Sequence, residues 1–305
     1  MLAPVVIFAY NRPAALQHLL TSLQACPESE QTTVIAFVDG PKTTEDEALA
    51  KHCVATFEAS AQQFAHLEIH TSEVNRGLAS TITEGVSDVM ARWKAAIVLE
   101  DDLEVSPFFL QFMNEGLQGF RDRQDVWSLS GYTPSIALPD DYRHEVFLVP
   151  RAQCWGWASW ADRWQSVDWH PLNSRNRLTP QERKRFDRGG NDLHRTLEME
   201  AAGRIESWAV RWAYSAAQQK RWTVNPVRSL VQNMGFESSV AHRGWHDQRH
   251  RTPLSDAPVA LYGDVQPDER IVASFKKHHD LGAISRIGYF LRRYDLGYHW
   301  LKRHL

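Results

Sequence analysis

The chain carries, at positions 95–102, the stretch Ala95-Ala96-Ile97-Val98-Leu99-Glu100-Asp101-Asp102. Its apolar part has the length and composition of a buried β-strand. Its acidic part places three carboxylates side by side, where they repel one another unless a cation or hydrogen-bond donors compensate for their charge. The stretch therefore predicts a buried strand that ends at a site of chemical interest.

Short apolar runs alternate with helical patterns through the first half of the chain. Ser106 has the character of an N-cap, with Pro107 at the first helical position. Strands that alternate with helices are typical of α/β proteins with a mostly parallel central sheet and helices on both faces. The predicted strands are 4–10, 33–38, 67–71 and 95–99, and the predicted helices are 14–24, 44–62, 77–92 and 107–120.

Polar residues follow these strands at the point where each one ends. Asn11 and Arg12 come after the first strand, Asp39 comes after the second, and the three acids follow the fourth. Ligands of open α/β sheets bind in the crevice beyond the carboxyl ends of the strands. We therefore expect these side chains to line one common site.

The pattern changes after residue 125. Short strands are predicted at 126–130 and 146–149, a helical capping box at Thr179-Pro180-Gln181-Glu182, a helix over 205–219 and an extended segment over 221–231. Five of the twelve tryptophans fall between 155 and 169, which makes their excess a local feature of this half.

Composition limits the class of protein. The 305 residues are 43% hydrophobic and 23% charged, with a net charge of −3, which indicates a folded globular protein and argues against disorder or a nucleic-acid partner. Three widely spaced cysteines favour a reducing cytoplasm over a disulfide framework or a zinc site. The apolar run at 4–10 lacks the flanks of a signal peptide, and no stretch reaches the ~20 apolar residues of a membrane span.

The three acids at 100–102 have two interpretations. Mg²⁺ and Mn²⁺ favour oxygen ligands and commonly bind substrate phosphates as well, so the acids could hold a metal that bridges to a diphosphate. Alternatively, they form a solvated loop that stabilises the positive end of the following helix. The polar residues at the other strand ends favour the first interpretation.

Several ordered motifs resemble the GT-A-fold glycosyltransferases, and most closely the bacterial family-2-like sugar transferases that share an EDD motif with N-acetylglucosaminyltransferase I. The resemblance covers most of residues 1–245. Its motifs are PVVIFAYNRP at 4–13, FVDG at 37–40, NRGL at 75–78, VLEDDLE at 98–104, CWGWASW at 154–160, SW at 207–208 and NMGF at 233–236, followed by His242.

The resemblance implies a Rossmann-like GT-A fold with a nucleotide-sugar-binding half at 1–125, an acceptor-binding and catalytic half at 126–250 and a C-terminal extension at 251–305. It also implies a role for each matching residue. Asp39 would contact the nucleotide base, with Ala9, Tyr10 and Arg12 lining the nucleotide pocket and Arg76 near the donor phosphates. Glu100 and Asp101 would hold the ribose or the donor sugar. Asp102 would be the main protein ligand of Mn²⁺ or Mg²⁺, and His242 would approach the metal or the diphosphate.

An inverting transfer also needs a base that removes the proton of the acceptor hydroxyl. The resemblance places an acidic residue just before a tryptophan near a helix start, which falls on Glu206 ahead of Ser207 and Trp208. Glu206 is therefore the candidate base. The alternative is an acid that only stabilises the helix N-terminus.

The tryptophans admit two roles as well. Aromatic faces can stack on sugar rings, and most large indoles fill protein cores. We expect most of them to be core residues, with Trp157 and Trp208 facing the sugar site.

The segment 284–305 holds five Arg or Lys and one Asp, a charge of +4, interleaved with aromatic and aliphatic residues. This pattern fits a helix in an anionic membrane interface, or a terminal helix docked on the protein with a basic outer face. The first alternative would place the protein at the inner face of the cell membrane, where a lipid-linked acceptor could be reached.

These observations predict a metal-dependent, inverting glycosyltransferase that moves a hexosyl or N-acetylhexosaminyl group from a nucleotide-diphosphate donor to a glycan hydroxyl. One alternative is a sugar-1-phosphate nucleotidyltransferase, although residues 9–13 lack the glycine-rich loop of that class. Another is a glycan-binding relative without catalysis.

Overall fold

A computed structural model of the protein describes residues 2–172, 178–235, 250–261 and 264–282. The strands in this part of the chain are β1 (Val5–Ala9), β2 (Thr33–Val38), β3 (His66–Thr71), β4 (Ala95–Glu100), β5 (Leu103–Val105), β6 (Val126–Ser130), β7 (Val146–Val149), β8 (Trp157–Trp160), β9 (Trp222–Pro226) and β10 (Val231–Asn233). The helices are α1 (Pro13–Gln24), α2 (Thr44–Ala59), α3 (Leu78–Trp93), α4 (Phe109–Gly119), α5 (Ala161–Gln165), α6 (Pro180–Phe186), α7 (Asp192–Ala201), α8 (Trp208–Gln218) and α9 (Glu269–His279).

Eight of the strands form one central sheet in the order β3-β2-β1-β4-β8-β6-β9-β7. Strands β1 to β4 are parallel to one another, with Val5 opposite Val34 on one side and Ile97 on the other. Strand β8 is antiparallel to both β4 and β6, so β6 and its parallel neighbour β9 run in the same direction as β1. The predicted α/β class with a mostly parallel central sheet is confirmed, and strands from before and after residue 125 share that sheet.

Apolar layers cover both faces of the sheet. In β1, Val5 and Ile7 point into the layer that contains α1 and α4, while Val6 and Phe8 point into the layer that contains α3 and α8. Alternate residues of a strand face opposite sides, so a run of five buried apolar residues needs helices on both. The uninterrupted apolar run of β1 is therefore explained by its central place in the sheet.

The turn after the acids differs from the sequence prediction. Residues 103–105 form β5, which pairs antiparallel with β10, and α4 begins at Phe109 instead of at Pro107. Ser106 donates from its amide to the Leu230 carbonyl at 2.9 Å and from its hydroxyl to the Ser255 carbonyl at 2.6 Å. Residues 107 and 108 form a turn in which the Phe108 amide donates to the Ser106 side chain at 3.3 Å, and the helix starts after this turn.

Two other helix starts follow from side-chain caps. The predicted capping box of α6 is confirmed, because Thr179 and Glu182 each accept a hydrogen bond from the other's backbone N–H. Helix α8 starts at Trp208, three residues later than predicted, because the Ser207 side chain accepts from the Val210 N–H.

No helix among the described residues is both long enough and apolar enough to cross a membrane. The predicted basic helix over 284–305 lies outside the described residues, so its two interpretations stay open.

Candidate active site

A cavity of about 270 Å³ opens beyond the carboxyl ends of β1, β2 and β4. This is the edge at which the sequence predicted a common site. The lining residues are Phe8, Ala9, Tyr10, Asn11, Arg12, Asp39, Lys42, Asn75, Gly77, Leu78, Thr81, Glu100, Asp101 and Asp102. Among the side chains predicted for a nucleotide and its metal, the structure brings seven together here: Ala9, Tyr10, Arg12, Asp39, Glu100, Asp101 and Asp102.

The three acids form the floor of this cavity and carry a high electrostatic cost. Burial, together with the charges of Asp102 and Asp101, raises the pKa of Glu100 to about 8. Burial and the charge of Asp102 raise the pKa of Asp101 to about 7, although the Tyr10 amide donates to its Oδ2 at 3.3 Å. Carboxylates held this way are stabilised by a cation, which fits the first interpretation of the acidic stretch.

Asp102 is enclosed by two other segments of the chain. Its Oδ2 accepts a 3.0 Å bond from Nη1 of Arg12, and its carbonyl accepts a 2.7 Å bond from the Met234 amide. A Cβ built on Gly235 would lie only 2.2 Å from Asp102 Oδ2, so a side chain larger than hydrogen cannot fit without movement. Burial raises the pKa of Asp102, and the Arg12 charge opposes that rise.

Asp39 is held by hydrogen bonds from the protein itself. Its Oδ1 accepts from the amides of Gly40 and Arg76, both at 2.9 Å, and its Oδ2 accepts from the Gly77 amide at 3.0 Å and the Asn75 side chain at 3.1 Å. A carboxylate offers about four lone-pair sites, and the protein itself fills all of them. Asp39 therefore holds the loop that starts α3 while it lines the cavity, and its contact with a nucleotide base stays a prediction.

Arg76 lies elsewhere than predicted. Its guanidinium forms an ion pair with Glu84 on the surface of α3, and only its backbone faces Asp39. The local sequence gave no sign of this pairing, because the two residues are eight positions apart, outside the usual i, i+3 and i, i+4 helix spacings. Lys42 lines the cavity instead, with its ammonium 5.8 Å from the centre of the Tyr10 ring.

Asp46 is a site-forming residue that sequence reasoning missed. Its Oδ2 accepts a 2.7 Å bond from the Tyr10 hydroxyl, and its Oδ1 accepts a 2.7 Å bond from the Asn11 side chain. The bonds from Asn11 and Tyr10 hold the pKa of Asp46 at about 2. Asp46 also completes the capping box of α2 with Thr43, and that T-x-x-D spacing was the signal available in the sequence.

Glu206 stands at the mouth of the cavity. It is exposed, it precedes α8, and its Oε2 would lie 3.4 Å from a Cβ placed on Gly77. Gly77 has φ +80° and lines the cavity. A carboxylate from the second half of the chain therefore lies beside Gly77, a residue of the first half that lines the cavity.

The two tryptophans predicted to face a sugar lie in the core, so that prediction is wrong. Trp157 is fully buried and Trp208 is 4% exposed. Trp157 stacks with Trp164 at 5.6 Å and contacts Trp208 at 5.6 Å and Trp212 at 5.2 Å. Strand β8 lies between β4 and β6 with helices over both faces, which leaves its indoles no open surface.

The donor set suits a hard divalent cation only in part. Asp102, Asp101 and Glu100 supply carboxylate oxygens of the kind that Mg²⁺ and Mn²⁺ prefer, and their raised pKa values show uncompensated charge. Within the described ranges, no three His, Cys, Asp or Glu side chains are arranged to hold a metal by themselves. The remaining ligands would therefore come from a phosphate-bearing substrate or from His242, which lies outside the described residues.

No model of a known protein family matches the chain. Among solved structures, S. aureus TarS aligns at 13% identity over 48% of this chain and 25% of that chain, with a TM-score of 0.34. Its fragment 1–349 aligns at 9% identity over 98% and 72% of the two chains, with a TM-score of 0.41. GalNAc-T7 with UDP, GalNAc and Mn²⁺ aligns at 11% identity over 76% and 44%, with a TM-score of 0.48. The first alignment thus spans a quarter of the TarS chain, and we base no functional assignment on similarities this distant.

Proposed function

We propose that the protein is a glycosyltransferase that binds a nucleotide-diphosphate sugar in the cavity at the carboxyl ends of β1, β2 and β4. It transfers the sugar to a hydroxyl of a glycan acceptor. The observation that carries this proposal is the meeting of Arg12 and the acids at 100–102 in one cavity at the ligand-binding edge of an α/β sheet, with Glu206 beside Gly77 on the cavity wall.

The cavity offers positive groups for the diphosphate of such a donor and polar and aromatic groups for its nucleoside. Arg12 and Lys42 line it and can bind phosphate oxygens, and the 16-residue helix α3 begins at its wall with the positive end of its dipole. Tyr10 and Asn11, held by Asp46, also line the cavity and can offer an aromatic ring and an amide to a nucleoside.

The acids would hold a divalent cation together with the donor diphosphate. Asp102 is the main candidate ligand, with Glu100 and Asp101 beside it, and Mn²⁺ or Mg²⁺ is the expected ion. A bound cation would stabilise the negative charge that develops on the leaving diphosphate. His242 as a further ligand stays a prediction.

Glu206 is the proposed general base. Its exposed carboxylate can accept the proton of an acceptor hydroxyl, and the oxygen of that hydroxyl attacks the anomeric carbon from the face opposite the diphosphate. This geometry gives inversion. A glycan acceptor would approach over Gly77, between the cavity and the start of α8.

We place the protein in the cytoplasm because all three cysteines are free thiols, with Cys26 and Cys53 buried. Contact with a membrane through 284–305, and with it a lipid-linked acceptor, stays a prediction.

The test is a panel of nucleotide sugars with Mn²⁺, followed by thermal unfolding and by release of the nucleoside diphosphate. Binding to the native state raises the unfolding temperature, so the donor is the nucleotide sugar that gives the largest rise. Asp102→Asn should abolish the Mn²⁺-dependent part of donor binding, while Asp122→Asn, the same change on an exposed turn, should leave it intact. If Asp102→Asn binds and turns over donor like the wild type, the proposal fails.

A second variant pair tests the base. Glu206→Gln should lower kcat by about 10²–10⁴-fold at unchanged donor affinity. Glu58→Gln, an exposed glutamate on α2, should keep full activity. A Glu206→Gln enzyme with wild-type kcat would show that another group accepts the proton.

A further inference from the structure

A second cavity, of about 330 Å³, shares no lining residue with the cavity that holds the acids. It is formed where α8 ends and β9 begins, and its lining includes Arg185, Arg188, Lys220 and Arg221. The other residues on its walls, such as Trp222 and Ala217, are uncharged, so none of its lining residues is acidic. Its volume is at the lower end of the range for small-ligand pockets, which is roughly 300–1,000 Å³.

Two of these four cations lack the ion pairs that arginines elsewhere in the described residues have. Arg92, Arg123 and Arg151 each bind a carboxylate at 3.1 Å or less. Lys220 and Arg221, in contrast, have no carboxylate within ion-pair distance among the described residues. Positive charge in this cavity is therefore only partly compensated by the protein.

The remaining two guanidiniums are held but keep donors available. Arg188 binds Glu269 at 2.6 Å, but Glu269 is 71% exposed, and exposed ion pairs contribute little. Arg185 donates from Nη1 to the side-chain oxygen of Gln218 at 3.0 Å. Each guanidinium has five N–H donors, so these contacts use a minority of them.

Arg221 has a buried N–H group without a hydrogen-bond acceptor. Its guanidinium lies 5.5 Å from the centre of the Trp127 ring, and its Nη1 is buried with no hydrogen-bond acceptor. Burial and the nearby charge of Arg163 lower the pKa of Arg221, while Asp162, which opposes this effect, is ion-paired with Arg163. A buried unpaired donor is costly, and because Arg221 lines the cavity, an anion bound there would lie beside this residue.

The end of α8 does not account for this cluster. Helix C-termini attract cations, and Arg185 does approach the Gln218 carbonyl at 3.4 Å. Arg188 instead lies over the Trp222 ring at 5.2 Å. Lys220 holds a left-handed backbone with φ +56° at the position where helices usually place glycine. Lys94 holds a similar conformation at the end of α3, so this backbone by itself indicates no ligand. The gathering of four cations in one cavity without a lining acid is what points to a ligand.

We infer that this cavity binds a phosphoryl group, with Arg188, Lys220 and Arg221 as its donors. Planar guanidiniums match the oxygens of a phosphate in pairs, and the apolar wall of Ala217 suits the organic part of a phosphate ester. Strand β9 runs in the same direction as β1, so Trp222 at its start lies at the opposite edge of the sheet from the acids. The phosphoryl site is therefore separate from the proposed donor cavity, and its failure would leave the proposed function untouched.

The experiment uses the full chain with inorganic phosphate and pyrophosphate as probes, titrated against chloride at matched ionic strength. Binding is followed by calorimetry and by the rise in unfolding temperature. The double variant Arg188→Gln/Lys220→Gln should weaken pyrophosphate binding at least tenfold, whereas Lys184→Gln, an exposed lysine of α6 outside the cavity, should not. Arg12→Gln removes phosphate binding in the donor cavity and should preserve the second site.

Three results would overturn the inference: no saturable binding beyond the ionic-strength control, an unchanged affinity in the double variant, or complete loss in Arg12→Gln. If the double variant does not fold, the exposed Lys220→Gln change alone should still weaken binding severalfold. Vesicles of phosphatidylcholine with and without phosphatidylglycerol identify the source of the phosphoryl group. If the wild type sediments with anionic vesicles and the double variant does not, the phosphoryl group belongs to a lipid headgroup. If the wild type binds pyrophosphate and the double variant sediments with vesicles as the wild type does, the phosphoryl group belongs to a soluble phosphate ester.

Discussion

The amide of Gly77 donates a 3.0 Å hydrogen bond to Oδ2 of Asp39, across 38 residues of sequence. This bond, with those from Gly40, Asn75 and Arg76, makes one carboxylate the anchor of the loop that begins α3. Gly40 itself would place a Cβ 2.3 Å from the Val74 carbonyl carbon, so the two loops touch through their backbones. The shape of the donor cavity therefore depends on Asp39 without requiring it to touch a substrate.

Asp39→Asn should consequently act on stability first. The amide replaces one acceptor oxygen by a donor group, which leaves two partner N–H groups unpaired at a cost of about 1–3 kcal/mol each. We expect a lower free energy of unfolding in urea and, because Gly77 is released, weaker donor binding. Asp122→Asn serves as control. An Asp39→Asn protein of wild-type stability would show that the loop holds its shape by other contacts.

Asp46→Asn should affect the nucleoside wall of the cavity. The change weakens the bonds from the Tyr10 hydroxyl and the Asn11 amide, so both side chains gain freedom and donor affinity should fall by about tenfold, or ~1.4 kcal/mol. The kcat at saturating donor should stay near that of the wild type, because no reacting atom is involved. Glu47→Gln, on the neighbouring exposed position, controls for loss of charge. Equal KM values for the two variants would contradict a positioning role for Asp46.

Gly235→Ala should damage the acidic site by steric means alone. The added methyl group would approach Asp102 Oδ2 to 2.2 Å, so either the carboxylate or the 233–235 segment must move. We expect Mn²⁺-dependent donor binding to fall by an order of magnitude or more. Gly119→Ala, where nothing lies within 4 Å of the new methyl, should bind donor normally. Titration calorimetry of both variants checks this pair, and similar affinities would contradict the close contact.

The raised pKa values predict how stability and metal binding depend on pH. The pKa of Glu100 is about 8 and that of Asp101 about 7 in the folded state, against roughly 4 in an unfolded chain. The folded state therefore retains protons that the unfolded state loses, so this contribution to stability is complete below about pH 4 and is lost as the pH rises towards 8. A divalent cation replaces those protons.

The rise in unfolding temperature caused by Mg²⁺ should accordingly be larger near pH 8 than near pH 6, because fewer protons must leave at the higher pH. Thermal unfolding at one Mg²⁺ concentration and several pH values measures this directly. Glu100→Gln should flatten the dependence. A larger Mg²⁺ effect at the lower pH would contradict binding at these carboxylates.

Much of the first half of the fold could be read from local pattern. Apolar runs such as Val5–Ala9 and Ala95–Leu99 report burial on both faces, and the acids that follow the second run mark the edge where ligands bind. Because carboxyl ends of parallel strands meet at one edge, the meeting of Arg12, Asp39 and Asp102 also followed from the order of the motifs.

Only the tertiary structure decided what these residues do for one another. Residues 103–105 paired with β10 where the local pattern gave no strand, the bonds to Asp39 and Asp46 turned two acids into supports of the site, and helices over β8 buried Trp157. The approach of Glu206 to Gly77 and the cluster around Arg221 likewise join distant segments. Periodicity in a sequence records how each element is buried, but hydrogen bonds and charges are satisfied by whichever partners folding brings near.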